Sequence, residues 1–278
     1  MPNQFGDKLS QAFEKSGQLC VGIDPHSHLL RTWGLNDSPL GLREFALRVV
    51  EAASGLVSAV KPQVSFFERF GARGFEVLAE VTQFAHSEGL IVIVDAKRGD
   101  IGTTMEAYFE AWFGEHSGFY ADAITTSPYL GLGATTRAFG KWAEEGKGFY
   151  SLVATSNIEG ESVQLAQTNG RTLAADQFEQ LIQLNQGAHG PIGSFGAVLG
   201  ATVDLDSFGV AEKRGKVPVL APGFGAQGAK LTDAKAIFGG MAGAVSYSVS
   251  RSILEAGAND LPSAIKRANS ELTDGLTK

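Results

Sequence analysis

Short apolar segments alternate with segments of helical periodicity along almost the whole chain, and this alternation limits the possible folds more than any other feature. Near-continuous hydrophobicity is typical of parallel strands, which helices cover on both faces. The apolar segments predict eight strands, at about residues 18–24, 56–62, 90–95, 120–125, 149–154, 195–201, 217–221 and 243–247. The clearest helical segments between them are 42–53, 75–89, 174–186 and 233–238.

Eight strand–helix units within 278 residues favour an α/β fold made of one (β/α)8 (TIM) barrel. We expect residues 1–278 to form this single domain, with an amphipathic lead-in helix at the N-terminus. An open doubly wound sheet has less support, because no GxGxxG turn follows the first strand. Segments 129–146 and 156–172 do not follow the regular pattern, and we interpret them as excursions from it.

Charge and hydropathy exclude several functional classes. The formal net charge is −7 and no long Lys/Arg run is present, which disfavours general binding to nucleic acid. No stretch approaches the roughly 20 apolar residues that cross a bilayer, and the N-terminus lacks an export signal, so we expect a cytoplasmic protein without a membrane partner. Cys20 is the single cysteine, and we expect it to be a buried apolar residue.

The third predicted strand ends in charge, in the segment IVIVDAKRGD (91–100). Side chains alternate along a strand, so Asp95 and Lys97 project on the same side. Asp24 closes the first strand and Lys61 closes the second. Catalytic groups of barrels lie at these strand ends. Burying several charges costs several kcal/mol per ion unless they pair, which favours a functional cluster, with a purely structural ion pair as the alternative.

The loop after this strand contains further charges. Thr103 and Glu106 have the spacing of a capping box, which predicts that Thr103 caps the next helix and leaves Asp100 free for another role. The alternative is that Asp100 caps the helix itself. We interpret Arg98 as a solvated loop charge.

A phosphate site is predicted after the last two strands. The segment APGFGAQG (221–228) precedes a predicted helix, and glycine-rich turns at helix N-termini expose N–H groups to anions. Arg251 begins the segment after the eighth strand, where a guanidinium can hold two phosphate oxygens. These two loops are the recurrent phosphate position in barrels. A salt-bridged surface role is the alternative for Arg251.

Two other loops contain polar candidates. Ser127 and Pro128, after the fourth strand, can offer a hydroxyl and backbone groups to a polar ligand, with a simple turn as the alternative. His26 and His28 lie two residues apart in a Pro-containing loop and lack the spacing of a metal pair, so we predict a surface loop and no metal site.

Together these segments resemble the orotidine 5′-phosphate decarboxylase family, in its branch of longer bacterial chains. The resemblance covers six strand ends in order and therefore most of the chain. It rests on GIDP (22–25), KPQ (61–63), DAKRGDIGTT (95–104), SPYLG (127–131), PGFGAQG (222–228) and SRSI (250–253).

The resemblance implies conversion of orotidine 5′-monophosphate to UMP and carbon dioxide, in de novo pyrimidine synthesis, without metal or organic cofactor. It implies that the site lies at the interface of a homodimer. The implied roles are a charge network of Lys61, Asp95, Lys97 and Asp100 with Lys97 as proton donor to C6; ribose binding by Asp24 and Lys61; pyrimidine contact by Ser127; phosphate binding by Gln227, the glycine loop with Gly223 and Gly225, and Arg251; and entry of Asp100, Ile101 and Thr104 into the partner subunit's site.

Three alternatives remain open at this level. One is a sugar-phosphate enzyme with a metal-stabilised enediolate, which the lysines matching the carboxylates disfavour. Another is an aldolase in which Lys97 forms a Schiff base, although adjacent acids raise the pKa of an amine and oppose that role. The third is a non-catalytic sensor of nucleotide phosphate, which would keep Arg251 without needing the charged cluster.

Overall fold

The centre of the molecule is a closed barrel of eight parallel strands, and the computed structural model describes residues 4–211 and 215–277. The barrel strands, in chain order, are β1 (Leu19–Ile23), β2 (Ala59–Pro62), β3 (Ile91–Arg98), β4 (Ala123–Thr126), β5 (Gly148–Ala154), β8 (Phe195–Leu199), β9 (Val219–Ala221) and β10 (Val245–Val249), while β6 (Gln167–Thr168) and β7 (Arg171–Thr172) form a separate hairpin. β1 pairs with both β2 and β10, which closes the ring. The predicted (β/α)8 barrel is confirmed, and each predicted strand overlaps one barrel strand.

Helices surround the barrel. They are α1 (Phe5–Ser16), α2 (Ser27–Thr32), α3 (Pro39–Ala53), α4 (Val64–Glu68), α5 (Ala72–Ser87), α6 (Gly102–Phe113), α7 (Leu132–Glu144), α8 (Ile158–Gln164), α9 (Leu173–Leu184), α10 (Ala234–Phe238), α11 (Arg251–Leu254) and α12 (Leu261–Thr277). The interpretation of 129–146 as an excursion is wrong, because this segment forms α7, which buries Phe139 and Trp142 against the barrel. Segment 156–172 contains α8 and the β6–β7 hairpin, and α8 buries none of its residues.

The strands divide the core into two layers. Ile91 and Ile93 point into the barrel with Cys20, whereas Val92 and Val94 pack against the surrounding helices. This is the alternation predicted for the third strand. Cys20 is buried as predicted, and burial raises the pKa of its thiol to about 12.

Helix α1 closes one end of the barrel. Phe5 and Leu9 are fully buried in the inner layer. A Cβ atom on Gly148, the first residue of β5, would lie 2.3 Å from the Phe5 ring, so the helix covers the N-terminal ends of the strands. The C-terminal ends, which we call the barrel mouth, are left for the functional site.

The helices within residues 4–211 and 215–277 do not meet the requirements for spanning a bilayer. None of them is both long enough and apolar enough to cross a membrane.

Candidate active site

Asp95 is the centre of a charged cluster at the barrel mouth. Its Oδ2 accepts from Lys61 Nζ at 2.9 Å and from Gln63 Nε2 at 3.0 Å. Its Oδ1 accepts from Lys97 Nζ at 2.6 Å and from Thr125 Oγ1 at 2.8 Å. Lys61 is 6% exposed and Asp95 is 8% exposed. A single buried carboxylate therefore holds two ammonium groups.

The charges of this cluster keep one another ionised. Burial raises the pKa of Asp95, but the charges of Lys61 and Lys97 outweigh it and hold that pKa well below its usual range. Burial lowers the pKa of Lys61, but the charges of Asp95 and Asp24 outweigh it and raise that pKa above its usual range. At neutral pH the pair is an ammonium and a carboxylate.

Lys97 is the member of the cluster that faces open space. Its side chain is 44% exposed, whereas those of Lys61 and Asp95 are buried. Its backbone φ is 48°, in the left-handed region that residues other than glycine rarely adopt. The register of β3 against β4 shifts between Val94 and Arg98, which marks a bulge at this point. The ammonium can therefore contact Asp95 and a ligand at the mouth.

Asp24 lies beside this cluster, just after β1. Its Oδ1 is 4.0 Å from Lys61 Nζ. The same atom is buried and has no hydrogen-bond partner among the described residues. The structure thus brings together all four charges predicted from the strand ends.

The predicted capping box is wrong. Helix α6 begins at Gly102, before Thr103, with Ile101 as its N-cap and no side-chain cap bond. Gly102 has a φ of 52°, which turns the chain into the helix earlier than the Thr103–Glu106 spacing indicated. Asp100 does not cap the helix either, and its Oδ1 accepts from the backbone N–H of Ile101 at 2.8 Å.

Asp100, Ile101 and Thr104 all lie on the rim of the mouth. In the described part of the chain, Lys61 and Lys97 form ion pairs with Asp95, and Lys61 also forms one with Asp24. Neither lysine forms an ion pair with Asp100 in this part of the chain. Ile101 is 59% exposed, and Thr104 is also exposed. This rim is therefore an open surface of the monomer.

The interpretation of Arg98 as a solvated charge is wrong. Its guanidinium pairs with Glu68 of α4 at 2.9 Å and donates to the carbonyl of Ala96 at 3.0 Å. The side chain therefore lies against α4.

Ser127, the first of the two polar candidates after β4, donates its backbone N–H to the Arg98 carbonyl at 2.8 Å. Pro128 is buried. Ser127 therefore lies beside the end of β3.

The glycine loop after β9 packs against the start of α11. Gly223 and Gly225 have φ values of 117° and 72°. Gly225 donates to the carbonyl of Ala229 at 2.8 Å, and a Cβ atom on it would lie 2.3 Å from Ser252 Oγ. Gln227 is exposed at the tip. The two loops predicted to bind phosphate are thus in contact.

The glycine loop precedes a helix, as predicted. A single 3-10 turn (Leu231–Asp233) connects the loop to α10. Arg251 does begin α11, as predicted. Among the described residues no carboxylate forms an ion pair with Arg251, so its guanidinium is available to an anion.

His26 lies near this site rather than on a remote surface. Its ring is 4.3 Å from the Phe66 ring. Burial lowers its pKa, Asp24 opposes that effect, and the charges of His28 and Arg251 add to it. Within the described residues, no three side chains of the metal-binding types come together. The absence of a metal site stays a prediction.

Two members of the Asp95 cluster were not identified from the sequence. Gln63 lies within the KPQ segment, and Thr125 lies two residues before Ser127. A polar residue at the end of an otherwise apolar strand is the only signal for Thr125.

Comparison with known proteins now identifies the family. The sequence model described as "Orotidine 5'-phosphate decarboxylase / HUMPS family" matches residues 17–267. The chain belongs to this family.

Curated relatives and solved structures extend the match to nearly the full length. The orotidine 5′-phosphate decarboxylase of Salinispora tropica is 46% identical over 254 residues, covering 91% of this chain and 90% of that protein. A crystal structure of a proposed orotidine 5′-phosphate decarboxylase from Streptomyces avermitilis is 44% identical, with a TM-score of 0.93 over 99% of this chain and 97% of the other. The OMP decarboxylase structure of Leishmania donovani is 28% identical, with a TM-score of 0.79 over 99% of both chains.

Proposed function

We propose that this member of the family is a carboxy-lyase that converts orotidine 5′-monophosphate to UMP and carbon dioxide in pyrimidine biosynthesis. The observation that carries the proposal is the ammonium group of Lys97, held 2.6 Å from Asp95 and exposed at the barrel mouth. Family membership over residues 17–267 supports the same substrate.

The proposed chemistry needs a cation beside C6 of the pyrimidine. When the bond from C6 to the carboxylate breaks, its electron pair stays on C6 in an sp2 orbital that the ring cannot easily delocalise. Lys97 stabilises this carbanion and gives C6 a proton, while carbon dioxide leaves. Asp95 holds the Lys97 ammonium in position before the reaction starts, which is electrostatic preorganisation. Lys61 balances the second oxygen of Asp95 from the buried side.

No metal or organic cofactor is required in this proposal, because Lys97 supplies the positive charge. In the shared site proposed below, Asp100 from the other subunit completes the network by adding a second carboxylate near the ammonium. We further propose that residues 1–278 act as one barrel domain in the cytoplasm.

The rest of the substrate fits the remaining groups of the mouth. Asp24 has a buried oxygen without a partner, which suits a ribose hydroxyl together with Lys61. Ser127 and Pro128 lie beside the end of β3, where the pyrimidine would contact them. The exposed glycine loop with Gln227, and Arg251 without an ion pair, suit the phosphate dianion. Phosphate binding far from C6 can supply energy used at the transition state.

We also propose that the enzyme is a homodimer with a shared site. Asp100, Ile101 and Thr104 would reach the partner subunit's substrate. Support comes from the exposed rim, where Ile101 is 59% exposed, and from the lack of an ion pair between Asp100 and its own cluster.

The activity is tested by the loss of ultraviolet absorbance of orotidine monophosphate, with purified protein in excess chelator. We expect turnover by the wild type and none above background for Lys97→Ala. Lys141→Ala is the control, because Lys141 is an exposed lysine on α7 whose ion-pair distance to Glu110 is 3.8 Å. No turnover by folded wild type would reject the proposed activity in favour of the sugar-phosphate or sensor alternatives.

The shared site has a separate test. Lys97→Ala and Asp100→Ala subunits are mixed under exchange, and one site of each hybrid then contains both native residues. We expect partial recovery of activity. If hybrids form without recovery, Asp100 serves its own subunit.

A further inference from the structure

The hydroxyl of Thr125 connects the backbone of Lys97 to the Asp95 oxygen that also binds the Lys97 ammonium. Thr125 belongs to β4 and is 1% exposed. Its Oγ1 donates to Asp95 Oδ1 at 2.8 Å and accepts from the backbone N–H of Lys97 at 2.9 Å. The ammonium of Lys97 binds the same Oδ1 at 2.6 Å. These three contacts form a closed ring.

The ring lies where β3 bulges, so that residues 95–97 face the single residue Thr125. The pairs that flank the bulge are Val94 with Ile124 and Arg98 with Thr126. A bulge leaves extra residues outside the strand ladder. The N–H of Lys97 finds its acceptor in the Thr125 hydroxyl instead of a β4 carbonyl.

A hydroxyl can donate and accept through the same oxygen atom, so Thr125 Oγ1 can make both contacts. A carbonyl accepts but cannot donate, and a valine of the same shape does neither. The left-handed backbone of Lys97, with a φ of 48°, costs free energy and persists only where its surroundings hold it. Without the hydroxyl, Lys97 would lose its backbone partner, and Asp95 would lose a donor that orients it.

We propose that Thr125 is a positioning residue that sets the place of the Lys97 ammonium through the backbone of Lys97 and the carboxylate of Asp95. This inference rests on the proposed function. Thr125 acts through Lys97, so it governs the chemical step rather than nucleotide binding.

Neighbouring Thr126 provides a matched control for the test. It lies on the same strand and is fully buried, and its Oγ1 has no hydrogen-bond partner among the described residues. We compare Thr125→Val, Thr125→Ser and Thr126→Val by steady-state decarboxylation and by the dissociation constant of UMP. A displacement of about 1 Å at a catalytic group costs on the order of 100-fold in rate. We expect that loss in kcat for Thr125→Val, with KM and UMP affinity little changed, and near-native kcat for the other two.

Equal kcat for Thr125→Val and Thr126→Val would overturn the proposal. Equal losses in Thr125→Val and Thr125→Ser would also overturn it, because the hydroxyl would then not matter. If Thr125→Val does not fold, Thr125→Ala against Thr125→Ser isolates the hydroxyl. Inactive wild type would reject only the proposed function. Crystal structures of wild type and Thr125→Ala then decide the positioning claim, which fails if Lys97 keeps its φ and its contact with Asp95.

Discussion

Asp95→Asn removes the carboxylate that balances two ammonium groups, and we predict a large loss of stability. The amide keeps the shape of Asp95 but leaves Lys61, which is 6% exposed, without its closest anion. Asp24 remains, at 4.0 Å from Lys61 Nζ. Breaking a buried pair by removing one partner costs about 3–5 kcal/mol. At about 2–4 °C per kcal/mol for chains of this size class, the expected fall in Tm is roughly 6–20 °C.

The pH dependence of this loss follows from the shifted pKa values. In wild type the pKa of Asp95 is lowered, so its contribution exists above an unfolded pKa of about 3.9 and disappears as pH falls through the folded pKa. The pKa of Lys61 is raised, so its contribution exists below about 10.4 and disappears as pH rises through the folded pKa. In the variant we expect the pKa of Lys61 to be lower than in wild type, because burial still lowers it and Asp95 no longer raises it. The cost of the unpaired charge then disappears as Lys61 loses its proton. The difference between the two proteins should therefore be largest near neutral pH and shrink in strong acid and in alkali.

The assay is thermal and denaturant unfolding followed by circular dichroism from acid to alkaline pH. Glu80→Gln is the control, because it breaks the exposed ion pair with Arg43. An exposed pair is solvated in both states, so we expect little change there. A fall in Tm for Asp95→Asn no larger than for the control, or one that stays constant into strong alkali, would refute the reasoning.

Three further predictions concern the phosphate loops and the core. Arg251→Ala should raise KM for orotidine monophosphate on the order of 10–100-fold, since hydrogen bonds to charged groups contribute about 1.5–3 kcal/mol. The same variant should not alter turnover of phosphate-free orotidine. Equal effects on both substrates would contradict the phosphate role. Gly225→Ala should raise KM more than Gly228→Ala. Both glycines have positive φ, but only a Cβ atom on Gly225 would meet Ser252 Oγ, at 2.3 Å. Equal KM values for the two variants would show that this contact does not limit substrate binding. Cys20 should resist thiol reagents at pH 8 in the folded protein, because burial raises its pKa to about 12; rapid labelling of folded protein, measured by mass spectrometry, would contradict this.

Most of the barrel and its charged cluster followed from periodicity. The alternation of side chains along a strand placed Asp95 and Lys97 on one side, and adjacent parallel strands brought the ends carrying Asp24 and Lys61 beside them. The helices at 42–53 and 75–89 correspond to α3 and α5 because their apolar spacing matched the helical repeat.

What periodicity could not give was the local backbone path. The start of α6 at Gly102 and the contact of Arg98 with Glu68 depend on the backbone conformation at and after the end of β3, which no residue pattern specifies.

The sequence by itself determined which charged groups gather at the barrel mouth, because strand order and side-chain alternation are properties of the chain. Only the tertiary structure decided how Lys97 is held there. Its orientation depends on a bulge and on the Thr125 hydroxyl of the neighbouring strand, and the register between two strands exists only once both have packed into the closed barrel.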